Sequence, residues 1–570
     1  IYLMSINPHE IFARYFKGSE AIAYLLSKKL AEGNICIPIG TYGDYLKTVA
    51  DDEVKALFIV SEAEFEAQLK NSPHVTRSEK EVKPFVLFEG NLYLHRYFTY
   101  ESRILARIEA FNASRGNEGE GQIESNFAGA IAEYPGLFEA NSPQLKAARN
   151  SFVNPFSIIT GGPGTGKTTT IAKIMVLLLQ AYTDLRIALA APTGKAAARM
   201  KESLVGAAAN MAAIPEVVRE KLGNLQPVTL HRLLGSIQNS CYFRYNHENP
   251  LPFDLIVVDE SSMIDAAMMA KLFEAVAVGC RIILLGDKDQ LASVEAGSIF
   301  GDLCRSAQSN LMKGCIAELT KSHRFNPDKG IGFVSRAILA GESEKMEERD
   351  KFSSEVTIDT CYESKSLEEY ALHYRNYIEE EEIGVALQKI NDVRILCAVR
   401  EGDYGIYILN RRIEALLQQR CEGFMPVGEF YHNRPIMITR NNYELNVHNG
   451  DVGIIREVEE RGQKVPYAFF EGSNANEVKK IPASLLPEHE TVFAMTIHKS
   501  QGSEFTRVAV ILPEKTSAEK ILSRELFYTA VTRAKEKVLV QSAPDTFNLC
   551  FARSVNRSSG IVNRITEYLK

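Results

Sequence analysis

The sequence predicts an α/β protein with two parallel-sheet lobes, a mostly helical N-terminal domain and a small β-barrel inserted in the second lobe. Three observations carry this. Short apolar runs, "FSIIT", "RIALAAP", "DLIVVDE" and "RIILLGD", alternate with helical periods from about residue 125. Strands that are apolar throughout suit a parallel sheet covered by helices on both faces. A second series, "VRILCAV", "RVAVILP" and "KVLVQS", begins near 393. Within it, "RPIMITRNNYELNVHNGDVGIIREVEE" has short strands and an Asn-Gly-Asp turn, the texture of an inserted barrel.

Composition narrows the class. A chain of 570 residues, 45% hydrophobic and 24% charged, is globular and long enough for several domains. It has no apolar run of the roughly 18 residues that a membrane helix needs. Its start, "IYLMSINPHEIFARYF", lacks a secretory pattern. The nine cysteines are scattered and form no Cys-x-x-Cys pair. That argues for free thiols in a reducing cytosol and against a disulfide framework or zinc site. Net charge of −7 excludes a protein that coats duplex DNA by charge alone. Any nucleic-acid contact must use a local groove, neutral donors or stacking.

The elements follow in order. Residues 1–112 read as a helical unit with a few strands. "GSEAIAYLLSKKLAEGN" is an amphipathic helix stopped by Gly33-Asn34, and "KPFVLFEGNLYLHRYF" is two strands around a Gly-Asn turn. The polar, Gly-rich stretch at 113–124 is the expected linker. The first lobe spans 125–335, with a pin-like insertion at 236–252. The second spans 336–570, with the barrel at about 426–486.

The chemistry starts at "GGPGTGKTT": Gly161, Gly162, Pro163, Gly164, Thr165, Gly166, Lys167, Thr168 and Thr169. The motif Gly-x4-Gly-Lys-[Ser/Thr] stands between an apolar strand and a helix, the context a nucleotide phosphate loop requires. Glycines let backbone N–H groups wrap phosphates, and the helix N-terminus adds a positive dipole end. Lys167 would reach the β- and γ-phosphates of ATP, and Thr168 would give a hydroxyl to Mg²⁺. "DLIVVDESSM" delivers Asp259 to the same sheet edge, to hold Mg²⁺ through its water shell, and Glu260, to activate the attacking water. "LLGDKDQLASVEAG" adds Asp287 and Gln290, the latter placed to sense the γ-phosphate or water. Either acidic strand end alone is an ordinary turn; the phosphate loop decides for catalysis.

With "ALAAPTGKAAARM" (188–200), "TLHRLLG" (229–235), "SHRF" (322–325), "AMTIHKSQGSEF" (494–505) and "LFYTAVTRAKEKV" (526–538), these motifs resemble, in order, those of superfamily 1 helicases. "PTGKAA" with "IHKSQGSEF" is similar to the branch that moves 5′ to 3′. Within it the chain resembles the RecD family, the alpha subunits of exonuclease V (RecBCD). "LAEGNICIPI" and "LYLHRYFTYESRILARI" resemble that family's N-terminal domain.

The resemblance implies two RecA-like lobes, an SH3-like barrel and an ATP-driven, Mg²⁺-dependent DNA helicase of the bacterial cytoplasm. It implies action in double-strand-break repair and recombination beside RecB-like and RecC-like subunits, which would do any cutting. Gln144 in "NSPQLKAARN" would read adenine, although it could be an ordinary helix-surface glutamine. Arg324 would reach the γ-phosphate across the cleft, and Arg533 would be an arginine finger supplied in cis. Such a guanidinium is worth about 10³–10⁵ in rate. Glu504, grouped with the nucleotide contacts, would link nucleotide state to the lobe interface. Single-stranded DNA and duplex ends would meet Pro192, Thr193 and His231 on the first lobe and Thr496 and His498 on the second. Each of these hydroxyls and imidazoles could instead be a helix cap or a satisfied histidine.

One expectation is independent of the resemblance. "SCYFRYNHENPLPFD" (240–254) interrupts the first lobe with Tyr242, Phe243 and Tyr245. It reads either as a hairpin that splits the duplex end or as a surface loop packed on its own lobe. Two other functions compete with the subunit reading. A stand-alone RecD-like helicase would carry a longer N-terminal extension. An assembly part would use ATP only as a conformational switch, which the intact set Glu260, Gln290, Arg324 and Arg533 argues against.

Overall fold

The computed structural model describes residues 7–48, 58–114, 120–211, 214–362, 364–442, 444–472, 477–514, 519, 521–555 and 557–567. The N-terminal unit has a four-stranded sheet of β1 (Cys36–Pro38), β2 (Val75–Thr76), β3 (Phe85–Phe88) and β4 (Asn91–Leu94), in the order β1-β4-β3-β2. Helix Glu20–Ala31 buries Ile22, Tyr24, Leu25 and Leu26 against Phe65, Leu69, Phe85 and Leu92. Gly33, at φ 90°, follows the cap of that helix. The β3–β4 turn is Glu89-Gly90, both at positive φ, and Asn91 already opens β4. The hairpin is the expected one, with its turn one residue earlier.

Helix His95–Ala113 does not stay in this unit. Its Ile104, Leu105, Ile108 and Phe111 share a core with Phe156, Ile256 and Phe273 of the first lobe. It also runs into the segment expected to be a linker, and the next helix opens at Glu120. Both ends of 113–124 are therefore helical, because amphipathic periods continue into the Gly-rich stretch; residues 115–119 lie outside the described residues.

The first lobe is built on β5 (Phe156–Gly161), β6 (Ile187–Ala191), β7 (Val228–Thr229), β8 (Leu255–Val258), β9 (Arg281–Gly286) and β10 (Ile316–Leu319). The order is β10-β5-β9-β8-β6-β7 and every pairing is parallel. Alternate residues face two different cores: Phe156 and Ile158 lie in one, Ile159 in the other. That two-sided burial is why these strands read as unbroken apolar runs.

The second lobe holds β11 (Val356–Asp359) and β12 (Val393–Cys397), then an inserted set. The insert comprises β13 (Arg434–Ile438), β14 (Val452–Glu460), β15 (Gln463–Glu471), β16 (Val478–Pro482) and β17 (His489–Thr491). The lobe resumes with β18 (Ala494–Thr496), β19 (Phe505–Ile511) and β20 (Ala534–Gln541). Its own sheet is parallel, in the order β11-β20-β19-β12-β18. The insert is a separate antiparallel sheet in the order β16-β15-β14-β13-β17. It extends past 486 because β17 pairs with β13 immediately before the chain re-enters the parallel sheet.

Two expected boundaries move. Helix Gly330–Ala340 buries Ile331, Val334, Ala337 and Ile338 with Phe527 and Val538, so the lobes change over before 330 rather than at 335. The chain's end leaves the second lobe: helix Ile561–Glu567 buries Ile561 and Ile565 in the first-lobe core beside Ile35, Ile104 and Leu303. Among the described residues no helix is long and apolar enough to cross a membrane.

Candidate functional site

From Gly161 at the end of β5 the chain wraps through Pro163–Gly166 into helix Lys167–Ala181. Gly164 and Gly166 sit at φ 75° and 82°, a region that favours glycine. Gly164 has a second reason to lack a side chain, since a Cβ there would stand 2.5 Å from Cβ of Arg324. The Lys167 ammonium donates to the Gly161 and Gly162 carbonyls at 2.7 and 3.2 Å. The Thr165 hydroxyl donates to Gly162 at 2.8 Å. Thr168 and Thr169 occupy the first helical turn, where unpaired N–H groups and the dipole favour anions. Gln144 is the second residue of helix Pro143–Val153, which Ser142 caps and which leads directly into β5.

Strand order places β9 beside β5 and β8 beside β9, so the ends of all three meet at one edge. Burial and the adjacent Glu260 push the Asp259 carboxyl above its ordinary range, and Lys167 opposes them. Asp259 Oδ1 accepts the Glu260 N–H at 2.8 Å. Glu260 itself has φ 50°. A non-glycine residue there costs about 1–3 kcal/mol, strain that tends to collect at functional sites. Asp287 is buried, and burial raises its pKa against Lys167 and three hydrogen bonds. Its carboxylate accepts from the Asp289 N–H at 3.1 Å, the Gln290 amide at 3.0 Å and the Tyr528 hydroxyl at 3.1 Å.

The second lobe completes the site. Arg533 is buried and donates to the Thr529 and Ser503 carbonyls, each at 3.2 Å, and to Gln290 Oε1 at 2.8 Å. Burial lowers its pKa, while Glu260 and Glu504 oppose that. Tyr528 stands over the phosphate loop, where a Cβ at Gly162 would lie 2.7 Å from its hydroxyl. The Leu291 N–H donates to Thr529 Oγ1 at 3.0 Å, and Gln501 donates to the Leu291 carbonyl at 2.9 Å. Arg324 pairs with Glu504 at 2.7 Å, and its Nη1 is buried with no hydrogen-bond partner among the described residues. Burial would raise the Glu504 pKa, but Arg199 and Arg324 outweigh it and hold the carboxyl below its usual value.

Lys167, Asp259, Glu260, Gln290, Arg324, Glu504 and Arg533 are thus assembled around one cleft. Sequence reasoning missed Tyr528, Thr529 and Arg199, which stand inside quoted motifs without a chemical signature of their own. Among the described residues no group of three or more His, Cys, Asp and Glu is placed to hold a metal. None of the nine cysteines is joined in a disulfide.

The nucleic-acid candidates divide between two sheet ends. Pro192 and Thr193 follow β6 and His231 follows β7, at one end of the first sheet. Thr496 ends β18, at one end of the second sheet, and His498 follows it. Both hydroxyls act locally: Thr193 caps helix Gly194–Ala209 by accepting from Ala196 N–H at 3.2 Å, and Thr496 accepts from Lys499 N–H at 3.4 Å. Burial, then Arg557, lower the His498 pKa. Lys195, two residues after Thr193, crosses to the second lobe, with its Nζ 5.9 Å from the ring centroid of Phe505, the first residue of β19.

In the 240–254 excursion, Phe243 and Tyr245 pack against the first-lobe core. His231 meets the Phe243 ring edge-on at 5.8 Å, and Lys271 lies over it at 5.3 Å. A single bridge, Ser236 to Phe243, starts a hairpin. Of Tyr242, Phe243 and Tyr245, Tyr242 alone, 75% exposed, faces solvent.

The chain matches three families of known proteins: an AAA domain at 144–296, a UvrD-like helicase C-terminal domain at 491–540, and the N-terminal domain of RecBCD enzyme subunit RecD at 19–93. It is 39% identical to RecBCD enzyme subunit RecD of Mycobacterium tuberculosis (strain CDC 1551 / Oshkosh), covering 83% of this chain and 80% of that one. The Haemophilus influenzae protein of the same name is 34% identical, covering 84% and 81%. The ATP-dependent RecD2 DNA helicase of Deinococcus radiodurans is 30% identical over 84% of this chain but only 59% of its own. Identity at this level across four-fifths of both partners is decisive: the chain belongs to the RecD family.

Proposed function

We propose that the chain is an ATP-dependent 5′–3′ single-strand DNA translocase and helicase, the motor subunit of a RecBCD-type exonuclease V complex in double-strand-break repair. The observation that supports it best is the cross-lobe set. Gln290 of one lobe and Arg533 of the other share a 2.8 Å hydrogen bond within the site that holds Lys167. A phosphate loop served by a second lobe hydrolyses ATP only when the lobes close. Closure is therefore the working stroke.

In this reading Gln144 contacts the base and the loop from Gly161 to Thr169 holds the phosphates. Glu260 orients and deprotonates the attacking water. Arg324 and Arg533 neutralise charge on the transferring phosphoryl group. Mg²⁺ would be held by Thr168 and Asp259. The fit is good, since these are hard oxygen donors and Asp259 is a half-buried acid, raised above its ordinary range, whose charged form a dication would favour. When bound, the ion supplies charge neutralisation at the phosphates. Pro192, Thr193, His231, Thr496 and His498 grip the strand on alternate lobes. The inserted sheet is read as an SH3-like barrel, and the two parallel lobes as RecA-like. The N-terminal domain, residues 1–112, carries docking to RecB-like and RecC-like subunits.

The longer RecD2 relative supports a second reading, a stand-alone helicase. Duplexes with a single 5′ or 3′ tail test the reading directly. Unwinding from the 5′ tail, abolished in Lys167→Ala, is the expected result. Unwinding only from the 3′ tail would overturn the polarity, and ATPase unmoved by single-stranded DNA would favour an assembly switch.

A further inference from the structure

Helix Gly194–Ala209 starts at the proposed nucleic-acid face, and its first half, from Gly194 to Arg199, runs along the second lobe while Met200, Leu204 and Ala208 are buried in the first-lobe core. Its N-cap is Thr193, and a Cβ on Gly194 would touch His448 of the inserted sheet at 3.3 Å. Six residues after the cap, roughly 9 Å along the axis at 1.5 Å per residue, stands Arg199. This side chain crosses to the second lobe. Nη1 donates to the Gly502 carbonyl at 3.2 Å, and Nη2 pairs with Glu504 Oε2. The backbone supports the crossing, since Gly502 lies at φ 71° and a Cβ there would meet Ala196 of the same helix at 3.5 Å.

The pairing has an unusual feature. Arg199 and Arg324 both pair with one oxygen, Oε2, of one carboxylate. The Glu504 side chain is only 13% exposed, so that charge is shared in a largely dry setting. One acid cannot neutralise two guanidinium groups, and Arg324 is left with a buried, unpartnered Nη1 beside the phosphate loop. When Arg324 turns to a γ-phosphate, Arg199 is what keeps Glu504 satisfied and in place.

We propose that Arg199 is a positioning residue that relays strand binding to the ATP site. Seating a strand at the start of helix Gly194–Ala209 sets Arg199, Arg199 sets Glu504, and Glu504 releases or retains Arg324. The inference rests on the motor reading above and adds the path by which DNA stimulates hydrolysis. Arg199 touches neither nucleotide nor strand in this scheme.

The full chain, assayed for ATPase with and without a single-stranded oligothymidylate, tests it. Arg199→Gln is expected to cut DNA-stimulated kcat by about tenfold. Basal kcat, the KM for ATP and the Kd for the oligonucleotide should stay within about threefold. Arg199→Lys, which keeps charge but not the forked geometry, should fall between. In a double-mutant cycle, Arg199→Gln should add nothing to Glu504→Gln, because it acts through that carboxylate. The cycle also keeps the test decisive if Arg199→Gln alone lowers stability. Full stimulation in Arg199→Gln, an additive cycle, equal loss of basal and stimulated rates, or a matching loss of oligonucleotide affinity would each overturn the relay. A wild-type chain without DNA stimulation would sink the motor reading itself.

Discussion

At the scale of single residues, the site turns on side chains whose conformation or spacing is constrained. Glu260 holds φ 50° beside a half-buried Asp259, so its carboxylate is aimed by a strained backbone. Glu260→Gln keeps that backbone and its shape but removes the base. Loss of about 10²–10⁴ in kcat with ATP binding retained is expected, checked by single-turnover hydrolysis alongside nucleotide titration. Gly162 is the second such position. Adding a Cβ would push on the Tyr528 hydroxyl from 2.7 Å and break the bond to Asp287. Gly162→Ala should therefore lower DNA-stimulated kcat about fivefold, the ~1 kcal/mol worth of one hydrogen bond. Tyr528→Phe should reproduce it; a normal rate in both would remove Tyr528 from the closure. The phosphate loop and the strand-end acids were legible because their chemistry restricts residue type and spacing. Arg199 and Tyr528 were not, because an arginine or tyrosine on a helix has no local signature of what stands opposite it.

At the scale of elements, the parallel strands were legible from apolar runs, and the inserted sheet from its different texture. Their limits were not. β17 is three residues long, and pairing with β13, 51 residues or more earlier in chain order by its first partner, decides its membership. The 240–254 excursion is resolved into two parts. Phe243 and Tyr245 are anchored on the lobe, as the plainer expectation had it, whereas Tyr242 is free to meet a base. Deleting 241–249 would remove both parts together. Tyr242→Ala isolates the second. It should slow unwinding of a tailed duplex while leaving DNA-stimulated ATPase and thermal stability alone, as exposed substitutions usually leave stability within about 0.5 kcal/mol. Equal unwinding by Tyr242→Ala and wild type would rule out a separating role for this tyrosine.

At the scale of the whole molecule, the C-terminal segment ties three bodies together. Arg557 Nη1 donates to the Ser293, Glu295 and Gly297 carbonyls, just beyond Gln290. The Ser558 carbonyl accepts from the Ile35 and Cys36 N–H groups, and the Gly560 N–H donates to Glu101 at 2.9 Å. Nothing local announces this, since a seven-residue helix with two buried isoleucines fits any apolar surface. Glu101 makes the tie sensitive to pH. Burial raises its pKa from 4.5 to about 7, against Arg564 and the Gly560 N–H, with Asp302 adding to the rise. The folded state therefore holds this proton more tightly than the unfolded chain does. The stabilisation is complete below the unfolded value and is lost as pH rises through the folded one, a change of about 3 kcal/mol at most. Hydrogen exchange of the 557–567 amides, corrected for intrinsic rates, should show protection falling between pH 4.5 and 7.5. In Glu101→Gln, which is neutral throughout, that slope should flatten. An unchanged slope would mean that the C-terminal tie is governed by another group.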